Sequence, residues 1–296
     1  MSLYKPTAKS YFSGAGLMDL GLIQSGVKVI QSVDLDKRAV RTMQMNRQYF
    51  DHRIIWDDVT EMTVLDQPKS DIHVFTYPCK KYSLIGEIHG IRTGDELFTH
   101  ALRHLALEQP EAYVVENVPG MKYFKVVMEA MTKLPGYYVQ VFCPLNASLW
   151  LPQDRERLII IGTKRTFKIT HPTVGIRPRI KDIIEKDVRI EVPPCAISRL
   201  NGEYRDRPII VDPEDTDAIA PCCVAHYAKD MGTRMVKDKQ YPNGARPFTK
   251  REYARLQGLP DDFILPDRVY TYELIGNGVA VAKARWIGKQ LMNYFN

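Results

Sequence analysis

The sequence predicts an α/β fold: a doubly wound, mostly parallel sheet with a small, irregular second domain. Two observations carry this. Through the first half, short apolar strand-like runs alternate with helix-like segments, the rhythm of βαβ units whose sheet is covered on both faces. After Thr163 that rhythm stops, prolines scatter through the chain (Pro172, Pro178, Pro193, Pro194, Pro213, Pro221), and no clear period replaces it.

The elements follow in order. Ala8 to Phe12 reads as a strand, and Met18 to Gln24 starts a helix. Val27 to Val33 is a strand, Lys37 to Tyr49 a helix, and Arg53 to Trp56 a short strand. Ile72 to Thr76 is a strand and Glu96 to Glu108 a helix; Tyr113 to Val115 and Val126 to Lys133 repeat the pair. Tyr137 to Phe142 and Leu158 to Gly162 are further strands. Helical patterning resumes near Thr249 through Leu256, and a last helix runs from about Val279 to Met292. The expected domains are therefore 1–162 plus 247–296, with 163–246 inserted between them.

A chain of 296 residues, 45% hydrophobic and 26% charged, has the balance of an ordinary globular protein. No apolar run approaches the roughly 20 residues that span a bilayer. The opening Met1-Ser2-Leu3-Tyr4-Lys5-Pro6 is too polar for a secretory signal, so a cytoplasmic protein with no membrane partner is expected. The five cysteines form no Cys-x-x-Cys pair, which argues against a structural zinc, and no metal is expected. A net charge of +6, with its excess modestly concentrated in 162–246, is compatible with a polyanion.

Tyr11-Phe12-Ser13-Gly14-Ala15-Gly16-Leu17-Met18-Asp19 follows the first strand and opens a helix, and Asp34 ends the second strand. Glycines let backbone approach a ligand, and a following acid accepts from ribose hydroxyls, so the arrangement is Rossmann-like. The dinucleotide fingerprint needs a third glycine where this chain has Asp19, which disfavours NAD and a small-molecule dehydrogenase. A nucleoside without the pyrophosphate fits better, and S-adenosylmethionine is one. Asp58, after the third strand, could accept from an adenine amine or cap a helix; both readings stand at this point.

Two further segments place reactive groups where apolar strands meet their loops. Tyr77-Pro78-Cys79-Lys80 offers a thiol, and Val115-Glu116-Asn117-Val118 a carboxyl. Ligands bind at the carboxyl ends of strands in such sheets. Taken singly, Cys79 reads as a small buried hydrophobe, Glu116 as an ion-pair partner, and Arg155 and Arg157 as a solvated strand edge.

In combination and in order, these segments resemble the cytosine-C5 DNA methyltransferases over nearly the whole chain outside the irregular stretch. The residues carrying the likeness are Phe12-Ser13-Gly14-Ala15-Gly16, Asp34, Asp58, Pro78-Cys79, Glu116-Asn117-Val118, Gln153-Asp154-Arg155-Glu156-Arg157, the run Arg246 to Gly258, and Gly276-Asn277-Gly278-Val279. The resemblance implies S-adenosylmethionine as cofactor, S-adenosylhomocysteine as its product, and duplex DNA as substrate. It implies cofactor contacts at Phe12, Gly14, Ala15, Gly16, Leu17, Asp34, Leu35, Asp58, Val59, Pro78, Asn277 and Val279. It assigns Cys79 as the nucleophile that adds to cytosine C6, Glu116 as the proton partner of N3, Asn117 as the residue orienting the loop, Arg157 as a donor to O2, and Arg155 as support for the Cys79 loop. The resemblance also implies that the target base is flipped into the pocket. The stretch Lys80 to Gly94, with Gly86, Gly90 and Gly94, reads as a lid. Residues 163–246 resemble a target-recognition domain, and the last helix returns to complete the cofactor pocket.

Three positions depart from the family pattern: Lys80 where Gln is usual, Leu17 where Gly is usual, and Gly278 where Ser is usual. A transfer-RNA methyltransferase of the same family is the second reading, ranked lower because the Cys-Phe-Thr segment of that branch is absent. A catalytically dead DNA-binding homologue is the third, opposed by the intact Cys79, Glu116, Arg157 and Asn277. A monomer is expected, with a cognate restriction endonuclease as a potential partner.

Overall fold

The structure is a computed structural model that describes residues 4–78, 97–202, 209–241 and 243–296. Its contacts gather into two compact units. The first comprises Met1–Asn146, Glu156–Pro172 and Lys283–Asn296, and the second Ala147–Arg155 and Thr173–Ala282. By packing, most of the stretch 247–296 belongs to the second unit.

The first unit holds a seven-stranded sheet. Its strands are β1 (Thr7–Tyr11), β2 (Lys28–Asp34), β3 (Arg53–Trp56), β4 (Ile72–Phe75), β5 (Ala112–Asn117), β6 (Tyr138–Asn146) and β7 (Glu156–Thr163). They are ordered β3-β2-β1-β4-β5-β7-β6. The first five are mutually parallel, and β7 runs antiparallel to both β5 and β6. The predicted doubly wound, mostly parallel sheet is therefore present.

Helices of this unit are α1 (Leu17–Ser25), α2 (Lys37–Met45), α3 (Leu97–Glu108) and α4 (Lys125–Thr132). The predicted helix through Tyr49 ends instead at Met45, where Asn46 turns its backbone out of the helical region. On one face of the sheet Tyr11, Val33, Phe75, Tyr113 and Val115 pack with Ala101 and Leu105 of α3 and Val127 and Met131 of α4. Such burial of apolar area supplies the main driving force for folding. A small ionic group is set into this face: Lys9 Nζ lies 2.5 Å and His73 Nε2 3.2 Å from Glu108 Oε2, all buried.

The second unit contributes α5 (Ile180–Ile183), α6 (Pro194–Asn201), α7 (Lys250–Leu256) and α8 (Thr271–Asn277). It also has a small sheet, β8 (Ile210–Val211), β9 (Met235–Lys237) and β10 (Ala245–Pro247), in the order β10-β9-β8. The irregular stretch thus carries more regular structure than its sequence period announces, because strands of two and three residues are too short to show one. Thr249 starts α7 with a reciprocal capping box to Glu252. The last helix, α9, is Val281–Phe295, and its larger part belongs to the first unit. There Gly288 sits so close to α1 that a Cβ would lie 3.3 Å from Leu22 Cα. Among the described residues no helix is long and apolar enough to cross a membrane.

On the α1 side of the sheet a polar chain is buried. Ser32 Oγ lies 2.7 Å from Asp19 Oδ2 and 2.6 Å from His52 Nε2. Burial pushes the Asp19 carboxyl up to about 6 and the His52 imidazole down to about 4. The folded protein holds the Asp19 proton more tightly than the unfolded chain does. Its contribution to stability is therefore full below the ordinary Asp value and is lost as pH rises to about 6. Asp19→Asn removes that loss. Urea unfolding from pH 4 to pH 7 should show the variant gaining on the wild type by up to about 3 kcal/mol with rising pH; a gap that stays constant would mean Asp19 does not titrate in this window.

Candidate active site

Because β3, β2, β1, β4 and β5 are parallel neighbours, their carboxyl ends share one edge of the sheet. The antiparallel β7 brings its first residues, Glu156 and Arg157, to the same edge. Strand order reverses between β1 and β4, which opens a crevice there. Phe12 to Leu17, Asp34 and Leu35, Asp58 and Val59, Pro78, and Glu116 and Asn117 all follow or end these strands. The first unit brings them together along that edge.

The glycine loop is held by backbone and acid. Phe12 has a positive φ of 59°, a conformation rarely adopted by a bulky residue and one that gathers at functional sites. Ser13 N–H donates to the Val33 carbonyl at 3.0 Å. Gly14 N–H donates to Asp34 Oδ2 at 2.7 Å, and Asp36 N–H donates to Asp34 Oδ1 at 2.8 Å. Burial raises the Asp34 carboxyl above its ordinary range, and the Asp36 and Gly14 donors pull it back. Gly16 starts α1 at φ 81°, where a Cβ would come 2.7 Å from Phe50 Cζ. Ala15 and Leu17 are buried, so Leu17 serves the core at the position where the family has Gly. Leu35 is 63% exposed.

Asp58 Oδ1 accepts from Thr60 N–H at 2.9 Å, and the Asp58 carbonyl accepts from Glu61 and Met62. Asp58 thus caps a turn at 59–61 rather than the helix expected as one alternative, using one carboxylate oxygen in that bond. Val59 is buried, and its carbonyl accepts from Arg103 Nη2 at 3.0 Å.

Cys79 and the predicted lid, Lys80 to Gly94, lie outside the described residues. The chain leading to Cys79 is well defined. Thr76 Oγ1 donates to the Phe12 carbonyl at 2.8 Å, and Thr76 N–H to the Tyr11 carbonyl at 3.2 Å. From the other side Asn117 Nδ2 donates to the Tyr77 carbonyl at 3.2 Å, while Asn117 Oδ1 accepts from Val118 N–H at 2.8 Å. The nucleotide loop and the carboxyl loop thus both fasten the strand end two or three residues before the thiol. In the sequence Thr76 has no assigned role and Ser13 only a place in the glycine-loop motif, since a hydroxyl bonded to a carbonyl carries no periodic signal.

Glu116 and Arg157 meet across the β5–β7 pair. Glu116 stands opposite Ile159, which puts Arg157 on the adjoining diagonal of the same face. Arg157 Nε lies 3.3 Å from Glu116 Oε1, with both side chains largely buried. A carboxyl and a guanidinium set side by side can address neighbouring ring nitrogen and carbonyl oxygen of one heterocycle.

Within the second unit Arg155 is buried and braces backbone. Its Nη1 donates to the Cys223 carbonyl at 2.6 Å, and its Nη2 to the Gly276 and Gly278 carbonyls at 2.9 and 2.7 Å. It thereby fixes the segment that carries Asn277, which is exposed, and Val279, which is buried. Among the described residues no cluster of three or more His, Cys, Asp or Glu could hold a metal ion.

The sequence model of the family described as C-5 cytosine-specific DNA methylase matches residues 7–293. The Type II methyltransferase M.Bsp6I of Bacillus sp. (strain RFL6) is 30% identical over 320 residues, covering 95% of this chain and 97% of its own. The Type II methyltransferase M.Sau96I of Staphylococcus aureus is 28% identical over 327 residues, covering 96% of this chain and 75% of its own. Among solved structures, a methyltransferase of Entamoeba histolytica, EhMeth, superposes with a TM-score of 0.78 at 18% identity, over 99% of this chain and 98% of its own, a likeness of fold. With glycine loop, acid, carboxyl and guanidinium ordered along one sheet edge, and the match running almost from end to end, the chain belongs to the C-5 cytosine-specific DNA methylase family.

Proposed function

We propose that the protein transfers a methyl group from S-adenosylmethionine to C5 of a flipped-out cytosine in duplex DNA, through a covalent bond between Cys79 and C6. The observation that supports this most is the Glu116–Arg157 pair beside a strand end whose root, two residues before Cys79, is fastened by Asn117.

The residues of the first unit fit the cofactor. A carboxylate accepts about four hydrogen bonds, and Asp34 uses one oxygen for Gly14 and the other for Asp36. That leaves a lone pair on each oxygen for the vicinal hydroxyls of a ribose. A Cβ built on Gly14 would meet nothing within 4 Å, so the loop offers open space beside the acid. Phe12, Gly14, Ala15, Gly16, Leu17, Leu35, Val59 and Pro78 frame the nucleoside in this reading, with Asp58 toward the adenine amine, and Asn277 and Val279 as further contacts. When bound, S-adenosylmethionine supplies an electrophilic sulfonium methyl and leaves as S-adenosylhomocysteine.

The protein's own part is to make cytosine nucleophilic. The Cys79 thiolate adds to C6, and the electron pair displaced from the C5–C6 bond passes toward N3. Glu116 holds a proton at N3 and so neutralises the charge arriving there. Arg157 donates to O2, and its 3.3 Å contact to Glu116 orients both groups toward the same ring. Asn117 positions the Cys79 loop, and Arg155 acts as a positioning residue for the Asn277 segment. After methylation a base removes the C5 proton, C5–C6 re-forms as a double bond, and Cys79 leaves. Residues 163–246 supply target recognition, with Lys and Arg contacting phosphates and a few side chains reading base edges. The names of the Type II relatives support a restriction–modification setting, in which a cognate endonuclease cleaves unmodified sites. A cytoplasmic monomer completes the reading.

Labelled S-adenosylmethionine with mixed duplex DNA, followed by bisulfite mapping, tests activity and target together. Incorporation confined to cytosines of one short motif is expected; incorporation into structured RNA instead would favour the transfer-RNA reading. Cys79→Ser should abolish turnover while cofactor and DNA binding persist. A duplex carrying 5-fluorocytosine at the target, whose fluorine cannot leave as a proton, should trap the wild type covalently. Failure to trap it would remove the Cys79–C6 bond from the mechanism.

Asp34 gives a pH signature. Ionised, its carboxylate accepts from ribose hydroxyls; protonated, it loses acceptor capacity. Burial raises its titration above the ordinary 3.8, so cofactor affinity should be full at neutral pH and fall as the solution is acidified toward that range. Calorimetric titration with S-adenosylhomocysteine should show this fall in the wild type. Asp34→Asn should bind more weakly at neutral pH and lack that pH dependence.

A further inference from the structure

We propose that Trp56 is a positioning residue of the cofactor site, its indole holding the Asp34–Leu35 turn in the form that receives the nucleoside. The inference rests on the cofactor reading given above. Trp56 ends β3 and stands in register with Asp34, the last residue of β2. Its Nε1–H donates to the Leu35 carbonyl at 2.9 Å. The Lys37 ammonium lies 4.7 Å from the centre of its ring, a cation–π contact from the first residue of α2.

The turn is tied at each of its residues. Gly14 and Asp36 N–H groups hold the Asp34 carboxylate, Trp56 holds the Leu35 carbonyl, and Asp36 caps α2 by accepting from Arg38 N–H at 2.8 Å. Only the tie to Leu35 comes from a large apolar side chain left open. Trp56 is 56% exposed and Leu35 63% exposed, side by side at the carboxyl ends of neighbouring strands. A tryptophan this exposed gives the fold little burial, so its placement calls for another account. An apolar pair next to a buried acid matches a flat heterocycle whose sugar reaches that acid. In this arrangement the indole N–H fixes the peptide that follows Leu35, and the ring walls the outer side of the base.

The test uses the full chain and S-adenosylhomocysteine, measured by calorimetry and by tryptophan emission. Trp56→Phe keeps an aromatic ring but loses the N–H donor; Trp56→Leu loses both. We expect binding about three- to tenfold weaker for Trp56→Phe, the scale of one hydrogen bond, and weaker again for Trp56→Leu. Unfolding midpoints should stay at the wild-type value, as for an exposed side chain. The wild type should show an emission change on binding that both variants lose, although each retains Trp150 and Trp286. Wild-type affinity in both variants, or an emission change that survives in them, would overturn the inference alone. A wild-type protein that binds neither S-adenosylmethionine nor S-adenosylhomocysteine would overturn the cofactor reading beneath it.

Discussion

A hydrogen bond between the ends of two strands organises the site: Thr76 Oγ1 to the Phe12 carbonyl, across the point where strand order reverses. The chain leaves β1 toward one side of the sheet and β4 toward the other, so their loops would otherwise part. Phe12 takes a positive φ as it leaves β1, turning its carbonyl within reach of Thr76. From there the constraint spreads outward. Ser13 and Gly14 are bonded to β2, and Asn117 on β5 bonds to the residue after Thr76. Asp34, the end of β4 and Glu116 are therefore set by neighbouring strands of one sheet rather than by loop packing.

Much of the scaffold was legible because the sheet imposes strong local patterns. Ile72 to Phe75 and Ala112 to Asn117 are buried along their whole length, and in the sequence they appear as short, mainly apolar runs interrupted only by His73 and closed by Glu116 and Asn117. Gly14 and Gly16 were legible because both take a positive φ that calls for glycine, and Asp34 because an acid closing the second strand belongs to the same motif. What escaped is what tertiary contact decides. The run Thr271–Asn277 forms a helix with no side-chain N-cap bond, so no start signal announced α8. Arg155 and Arg157 alternate with acids and look alike in sequence, yet they fall in different units. One braces carbonyls while the other meets Glu116. Trp56 went unassigned because an indole that bonds to a backbone carbonyl leaves no motif.

The first unit accepts buried charge close to its working edge. Burial alone would raise the Glu108 carboxyl, but bonds from His73 and Lys9 bring it down to about 2. Burial lowers both Lys9 and His73. Removing one partner from such a group leaves an uncompensated buried charge, which costs far more than the intact group contributes. The group joins β1, β4 and the end of α3, the same two strands whose far ends meet through Thr76 and Phe12. Ionic pairing and the hydroxyl bond thus hold one strand pair at two heights, and a register slip between β1 and β4 would break both.

The departures from the family pattern separate what the chemistry needs from what the scaffold tolerates. Leu17 replaces a glycine at the first position of α1, where the side chain is buried. The neighbouring Gly16 keeps the positive φ and the tight approach to Phe50. The strained position is therefore still a glycine, and the one exchanged had a core to fill. Gly278 replaces a serine at φ −68°, an extended backbone open to any residue. Its carbonyl, which accepts from Arg155 and from Gln257, is common to both residue types. At 278 the bonded group is a backbone carbonyl, which the exchange leaves in place. A sequence can drift at such positions while the backbone bonds persist, whereas Asp34, Glu116 and Arg157 make their contacts through their side chains and leave no equivalent freedom.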